Sequence, residues 1–164
     1  MGRRQGSPDP WDRGRRKVLI SILEPVGRCD EQGGDDQNWF EISERRDWGA
    51  LARYVADDYI WIDHTLGSVA RTPDELLAAT AEDGAWTDKR YAIDSAVEGV
   101  DGRMFVQLTV TQTLGTGSEW RGVKGSGQRV TWSMIDIFTF NDEGRVTVEE
   151  AYFDALSIMR QLDS

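Results

Sequence analysis

One acidic residue near the carboxyl end of the chain stands among large apolar side chains. Residues 135–154 read as two alternating runs around the turn sequence Asn-Asp-Glu-Gly, which is typical of a β-hairpin. Side chains two positions apart on a strand share a face, so Asp136 shares one with Trp132, Met134, Phe138 and Phe140. If that face is buried, desolvation favours the neutral acid, which can donate a hydrogen bond or a proton. The alternative is a half-wet face with an ordinary ionised aspartate.

A second acidic residue, Asp63, belongs to a shorter alternating run over residues 59–64 and shares a face with Tyr59 and Trp61. In such an apolar setting Asp63 is a candidate general base. The alternative is an aspartate that ends the strand and caps the next turn. His64 faces the other way if the strand is regular, which favours a structural histidine, whereas a bulge after Asp63 would bring it to the same side.

Aromatic residues supply most of the candidate binding surface. The chain contains seven tryptophans, and large rings commonly line a core or a ligand pocket. Tyr152 can donate a hydrogen bond to a substrate oxygen, whereas Asp154 is expected to cap the segment that follows it. The candidate substrate-binding residues are Trp39, Tyr59, Trp61, Trp132, Phe138, Tyr152 and His64.

Helices come first and strands later among the elements that must position these residues. The apolar spacing predicts one helix over residues 38–46 and a second from the N-cap Asp47 through Val55. The sequence Thr-Pro-Asp-Glu at 72–75 is typical of a capped helix start. Strands are predicted over residues 59–64, 91–97, 104–114, 130–140 and 146–153. This order predicts an α+β fold with helices on one face of a mostly antiparallel sheet.

The domain organisation follows from length and local composition. A chain of 164 residues suits one domain with one core. Gly, Pro, Arg and Asp dominate residues 1–36, which predicts a flexible N-terminal extension before a folded domain over 37–164. The apolar run at 18–23 leaves an extra strand open as an alternative.

Composition also argues against several classes of partner and site. A net charge of −10 is unfavourable for a general nucleic-acid binder, because binding phosphates needs Lys and Arg. One cysteine and one histidine are too few for a zinc site, and no calcium-loop spacing is present, so no metal is expected, with an oxygen-ligand site left open as the alternative. No apolar run approaches the ~20 residues of a membrane helix, so we expect a cytoplasmic protein without a membrane partner.

The glycines of 115–127 lack dinucleotide spacing and predict a mobile hairpin loop near a pocket mouth.

Four stretches carry a resemblance to a known superfamily. Residues 56–63, Ala-Asp-Asp-Tyr-Ile-Trp-Ile-Asp, followed by Gly67, resemble the run that ends in the general-base aspartate of ketosteroid isomerases. Residues 135–146, with Ile-Asp-Ile-Phe and then Gly-Arg-Val, resemble the strand that carries their protonated aspartic acid. Residues 122–130 and 152–162 resemble SnoaL-like chains. From Trp39 onward the chain is similar to the nuclear-transport-factor-2-like superfamily, in its SnoaL-like polyketide cyclase and ketosteroid isomerase-like branches.

The resemblance implies a cone-shaped, curved sheet that N-terminal helices close over a deep apolar pocket. It also implies a cofactor-independent isomerase or polyketide-type aldol cyclase that acts on a small apolar carbonyl-containing substrate. In that reaction Asp63 would be the base, and neutral Asp136 would donate a hydrogen bond to the enolate oxygen. The alternatives are an epoxide hydrolase or cyclase of the same fold, and a non-catalytic, dimeric, small-molecule-binding module.

The resemblance further implies a homodimer, formed through the outer, convex face of the sheet. Several long strands with apolar residues on both faces, such as Phe105, Leu108 and Val110, support that expectation. The chain also departs from its relatives at two places. Trp39 stands where the isomerases have a tyrosine that donates to the oxyanion, and no histidine stands near Thr116, where cyclases often carry one.

Overall fold

The computed structural model describes residues 39–80 and 84–163. The predicted N-terminal extension over 1–36, with its alternative strand, lies outside the described residues. The described helices are α1 (Trp39–Arg45), α2 (Trp48–Leu51), α3 (Pro73–Ala79) and α4 (Ala155–Leu162). The described strands are β1 (Val55–Asp63), β2 (Ser68–Ala70), β3 (Trp86–Glu98), β4 (Met104–Leu114), β5 (Glu119–Trp120), β6 (Val123–Lys124), β7 (Arg129–Phe140) and β8 (Val146–Phe153).

Six of these strands form one curved, open sheet in the order β2-β1-β8-β7-β4-β3. Every neighbouring pair is antiparallel except β1 and β8, which run parallel. Helix α1 packs against β3, α3 against β2 and α4 against β7. The buried core includes residues of these helices and of the sheet. The predicted α+β architecture with a curved, mostly antiparallel sheet is confirmed.

Alternation along β4 decides which side chains enter that core. Every second residue from Met104 to Leu114 is buried, whereas Gln107 between them is exposed. Leu108 and Val110 are completely buried. The strand therefore has apolar side chains on both faces, with Leu108 and Val110 in the core and Phe105 on the outer side.

The second predicted helix is much shorter than its pattern indicated. Asp47 does cap it, since the Asp47 carboxylate accepts a hydrogen bond from the Ala50 N–H at 3.0 Å. Helix α2 nevertheless ends at Leu51, and Val55 already begins β1. Val55 pairs with Val146, whose N–H donates to the Tyr54 carbonyl at 2.9 Å. Sheet pairing with a distant strand therefore overrides the local helical pattern here.

Two other helix starts have the predicted caps. The Thr72 hydroxyl accepts from the Glu75 N–H at 3.1 Å, while the Glu75 carboxylate accepts from the Arg71 N–H at 2.7 Å. Asp154 caps α4 by accepting from the Ser157 N–H at 3.0 Å, as expected. No helix in the described ranges is long and apolar enough to cross a membrane.

The glycine-rich loop contains a small hairpin of its own, β5 and β6. It brings Trp120 into the core, where the indole is 5% exposed and its ring lies 5.4 Å from that of Trp86. A Cβ atom on Gly125 would lie 2.1 Å from the Gly115 carbonyl oxygen, so this close backbone approach requires glycine. The loop therefore contains a hairpin that Trp120 attaches to the core, whereas the predicted mobility of the loop stays a prediction.

Candidate active site

A cavity of about 130 Å³ lies between the inward face of the sheet and the helices, with residues of α1 and α3 in its lining. Its walls include five tryptophans, which are Trp39, Trp61, Trp86, Trp120 and Trp132. Three acidic side chains, Asp63, Asp136 and Glu149, also line it. A protein cavity of about 150 Å³ is large enough to hold benzene. The enclosed space therefore suits a ligand of about one ring.

Strand pairing places Asp63 and Asp136 on either side of one small residue. Ala151 in β8 pairs with Asp63 in β1 and with Asp136 in β7. Adjacent strands lie about 4.8 Å apart, so the two aspartate Cα atoms are about 10 Å apart across β8. Glu149 is two residues before Ala151 and belongs to the same face. All three residues line the same cavity.

Asp136 is held in a setting that favours its neutral form. Its side chain is 2% exposed, so the half-wet alternative does not hold. Burial raises the pKa of Asp136 well above its ordinary value, the charge of Glu149 raises it further, Lys89 opposes the shift, and Asp63 adds to it. One carboxyl oxygen, Oδ1, has no hydrogen-bond partner within the described part of the chain. A neutral Asp136 can therefore direct a hydrogen bond toward a ligand.

Asp63 faces the cavity and also caps the turn that follows β1. It is 4% exposed and lines the cavity. Its Oδ1 also accepts hydrogen bonds from the backbone N–H groups of Thr65 at 2.9 Å and Leu66 at 2.8 Å. These bonds make Asp63 the cap of the turn after β1, and they hold its carboxylate in one orientation.

Glu149 was missed by the sequence analysis. It is 8% exposed, and the Tyr59 hydroxyl donates to its carboxylate. Burial raises the pKa of Glu149 to about 7, against the lowering effects of hydrogen bonds from Tyr59 and Trp39 and of the Lys89 charge. Strand alternation was the available signal for Glu149. It places Glu149 and Ala151 on one face of β8 and Tyr152 on the other face.

Lys89 enters the cavity because β3 contains a bulge. The pairing of β3 with β4 shifts between Thr87 and Arg90, and Asp88 has a φ of 55°. A bulge re-aims the side chains next to it, and Lys89 here lines the cavity. Its charge acts on both Asp136 and Glu149. The alternating pattern of the sequence contains no signal for this inward turn.

Some of the predicted aromatic binding residues line the cavity, and others lie behind the side chains that line it. Trp39, Trp61 and Trp132 line the cavity. Phe138 is completely buried behind the wall, with its ring centroid 5.2 Å from that of Trp39. Tyr59 is also behind the wall, where burial and then the Glu149 charge raise its pKa well above the ordinary value. Tyr59 therefore remains a hydrogen-bond donor to Glu149.

His64 and Tyr152 lie on the opposite side of the sheet, away from the cavity, so the structure corrects their expected place at the binding surface. Their rings stack with centroids 4.3 Å apart. The His64 Nε2 atom lies 2.9 Å from a carboxylate oxygen of Glu150, and Tyr152 is 38% exposed. Strand alternation is the reason, because Asp63 and Ala151 face inward and the residue after each faces outward.

Loss of the Glu149 charge is expected to stabilise the protein at alkaline pH. The carboxyl of an unfolded chain loses its proton near pH 4.5, whereas folded Glu149 keeps it to about pH 7. The unfolded state binds fewer protons between these values, so the free energy of unfolding falls as the pH rises through this window. The full difference corresponds to about 3 kcal/mol. Glu149→Gln should therefore be more stable than the wild type at pH 8 by up to about that amount and about equally stable at pH 4.

Urea unfolding at both pH values measures this difference. Glu143→Gln is the matched control, because the Glu143 side chain is 72% exposed in the turn between β7 and β8. That control should show no comparable dependence on pH. A stability gain for Glu149→Gln that is equal at pH 4 and pH 8 would contradict the raised pKa.

Within the described ranges, no group of three or more His, Cys, Asp and Glu side chains is arranged to hold a metal ion. The polar groups of the cavity are three carboxyl groups, the amine of Lys89, and neutral hydrogen-bonding groups such as the Gln112 amide. Such groups can abstract a proton, return it, and stabilise a negative oxygen in a largely apolar space.

Comparison with known families gives one match at the sequence level. Residues 37–149 match the family model described as SnoaL-like domain. Comparison with curated proteins finds no similar sequence.

Comparison with solved structures gives matches over most of the chain. A candidate SnoaL-like polyketide cyclase from Jannaschia Sp. CCS1 has a TM-score of 0.65 at 17% identity, covering 97% of this chain and 98% of the other. AclR, a candidate hydroxylase from Streptomyces galilaeus, has a TM-score of 0.64 at 18% identity, with coverages of 91% and 84%. A hypothetical protein with a ketosteroid isomerase-like fold from Catenulispora acidiphila DSM 44928, in complex with trimethylamine, has a TM-score of 0.61 at 14% identity, with coverages of 76% and 88%. At such identities the similarity demonstrates a shared fold.

Proposed function

The chain belongs to the SnoaL-like family, and on that premise we propose that it is a cofactor-independent enzyme that moves a proton next to the carbonyl group of a small apolar substrate. The reaction is an isomerisation or an intramolecular aldol cyclisation. The observation that carries this proposal is the position of Asp63 and Asp136 on either side of Ala151 in one cavity.

In the proposed reaction Asp63 removes a proton from the carbon next to the carbonyl. The electrons of the broken C–H bond form the enolate double bond, and those of the carbonyl move onto its oxygen. Neutral Asp136 donates a hydrogen bond to that oxygen, in a setting that excludes most water. In an isomerisation Asp63 returns the proton to another carbon. In a cyclisation the enolate carbon attacks a second carbonyl group.

Glu149 supports this arrangement from the next position along the same face. When its carboxyl is ionised, its charge favours the protonated form of Asp136. Tyr59 and Trp39 hold the Glu149 side chain through hydrogen bonds. We assign Glu149 as a positioning residue, which keeps the hydrogen-bond donor of the site protonated over a wider pH range.

The size of the cavity narrows the proposed substrate. A space of about 130 Å³ suits about one ring, which is smaller than a four-ring steroid. A one-ring β,γ-unsaturated ketone, 3-cyclohexen-1-one, is therefore the test substrate. Proton transfer converts it to the conjugated 2-cyclohexen-1-one, and ultraviolet absorbance follows that product. No acceleration over buffer, together with no α-hydrogen exchange of cyclohexanone in D₂O, would contradict the proposal.

A second candidate function is non-catalytic binding of a small amine. Tryptophan walls and carboxyl groups in one cavity suit a cation, which aromatic faces and negative charges both attract. The fold relative from Catenulispora acidiphila is in complex with trimethylamine. Calorimetric titration with trimethylamine separates the two candidates. Binding of the amine without turnover of the ketone would favour the binding module over the enzyme.

We also propose that the chain forms a homodimer through the outer face of its sheet. That face exposes apolar side chains, including Ile135 at 45%, Tyr152 at 38% and Val97 at 61% exposure. Sedimentation at micromolar concentration should give about twice the chain mass of 18.5 kDa. Ile135→Glu should shift the species toward the monomer, whereas Val100→Glu, in the exposed turn after β3, should not. A wild-type monomer under these conditions would exclude this dimer.

A further inference from the structure

Besides Oδ1 of Asp136, two buried polar atoms on the cavity wall have no hydrogen-bond partner within the described residues. One is Nε1 of Trp132, and the other is Oε1 of Gln112. Their side chains are 8% and 5% exposed, and both residues line the cavity that holds Asp63 and Asp136. A buried polar group without a partner is destabilising, so most such groups in proteins are satisfied. Two of them in one cavity indicate that a ligand completes their bonding.

The two side chains are neighbours across the sheet. Trp132 in β7 pairs with Val110 in β4, and Gln112 is the next inward-facing residue of β4. Diagonal partners on adjacent strands are about 7–8 Å apart, which leaves room for one small group between their side chains. The bulge of β3 lies opposite Gln112 and closes this side of the cavity with Lys89.

The unpartnered atoms of Trp132 and Gln112 lie at the other end of the cavity from Asp136. Trp132 and Asp136 face the same side of β7, four residues apart, which is about 13 Å along a strand. Met134 lies between them and also lines the cavity. The cavity is therefore polar at two places along β7 and mostly apolar between them.

The chemistry of the two atoms selects the group that would bind there. The indole N–H of Trp132 can only donate, and Oε1 of Gln112 can only accept. A carbonyl or ether oxygen would satisfy Trp132 alone, and an ammonium group would satisfy Gln112 alone. A hydroxyl group satisfies both, because it accepts one hydrogen bond while it donates another.

We propose that Trp132 and Gln112 form a second polar subsite that binds a hydroxyl group of the ligand. The ligand is then a small ring with a carbonyl or phenol oxygen near Asp136 and a hydroxyl at its other end. The Asp136 end of this assignment rests on the proposed function, whereas the hydroxyl end rests on Trp132 and Gln112 alone.

Calorimetric titration with phenol and with hydroquinone under argon tests the subsite. The two probes differ by one hydroxyl at the far end of the ring. The wild type should bind hydroquinone about tenfold more tightly than phenol, because the additional hydroxyl pairs two buried groups. Gln112→Met removes the acceptor at similar volume and should abolish most of that preference. Trp132→Phe, which removes the N–H, should also reduce the preference.

Gln107→Met is the matched control, since Gln107 is in the same strand and is on the outer face of the sheet, away from the cavity. It should retain the tenfold preference. Equal affinity of the wild type for the two probes, or no binding of either, would overturn the subsite. A preference that Gln112→Met leaves intact would also overturn it. Asp136→Ala tests the other end separately: phenol affinity that is independent of Asp136 contradicts the proposed function, whatever the preference for hydroquinone.

Discussion

Asp63→Asn is expected to lower turnover of 3-cyclohexen-1-one by ~10²–10⁴-fold, because an amide cannot accept the proton that the reaction removes. The backbone around the site should not change. The amide oxygen can still accept the hydrogen bonds that Asp63 receives from the N–H groups of Thr65 and Leu66. The loss of activity should therefore occur in a protein whose melting temperature is close to that of the wild type.

Asp58→Asn provides the matched control for this substitution. Asp58 is in the same strand as Asp63, but its side chain is exposed. This variant should retain turnover within about twofold, because surface substitutions away from the site have small effects. Full activity of Asp63→Asn would assign the turn cap as the whole role of Asp63. The base would then have to be another group, and Glu149 is the remaining carboxyl of the cavity.

Substitutions of Asp136 should separate hydrogen-bond donation from charge. Asp136→Ala is expected to lower turnover by ~10²–10³-fold, because the enolate oxygen loses its donor in a largely dry site. Asp136→Asn retains an N–H donor at the same place and should lose less activity than Asp136→Ala. Asp142→Ala, in the exposed turn between β7 and β8, is the control and should leave turnover unchanged. Equal losses for the alanine and asparagine variants would contradict a role as donor.

Asp136→Asn should lower activity without lowering the stability of the folded protein. The pKa of Asp136 is raised in the folded protein, so the unfolded chain releases this proton at a lower pH. The free energy of unfolding therefore decreases as the pH rises above the ordinary range of an aspartate. An amide carries no such penalty, so Asp136→Asn should be at least as stable as the wild type at pH 8. Thermal unfolding at pH 8 that is markedly lower for the variant would contradict the buried, neutral acid.

Local patterns in the sequence predicted the inward row of β7, which contains Asp136. They also predicted the caps at Asp47, Thr72 and Asp154. Alternation also favoured the outward direction of His64, which a bulge after Asp63 would have reversed. These features depend on residues within a few positions of one another, because strand alternation and helix capping are properties of the local backbone. The similarity of several short stretches to one superfamily then gave the fold, which family and structural comparisons confirm.

Only the tertiary structure decided which polar groups share the cavity. Asp63 and Asp136 are 73 positions apart in the chain, and both pair with Ala151 because β8 inserts between β1 and β7. Glu149 is inward-facing for the same reason. Lys89 lines the cavity because of a bulge that no periodicity predicts. Register and bulges arise from pairing between distant strands, and a sequence read segment by segment contains no direct information about that pairing.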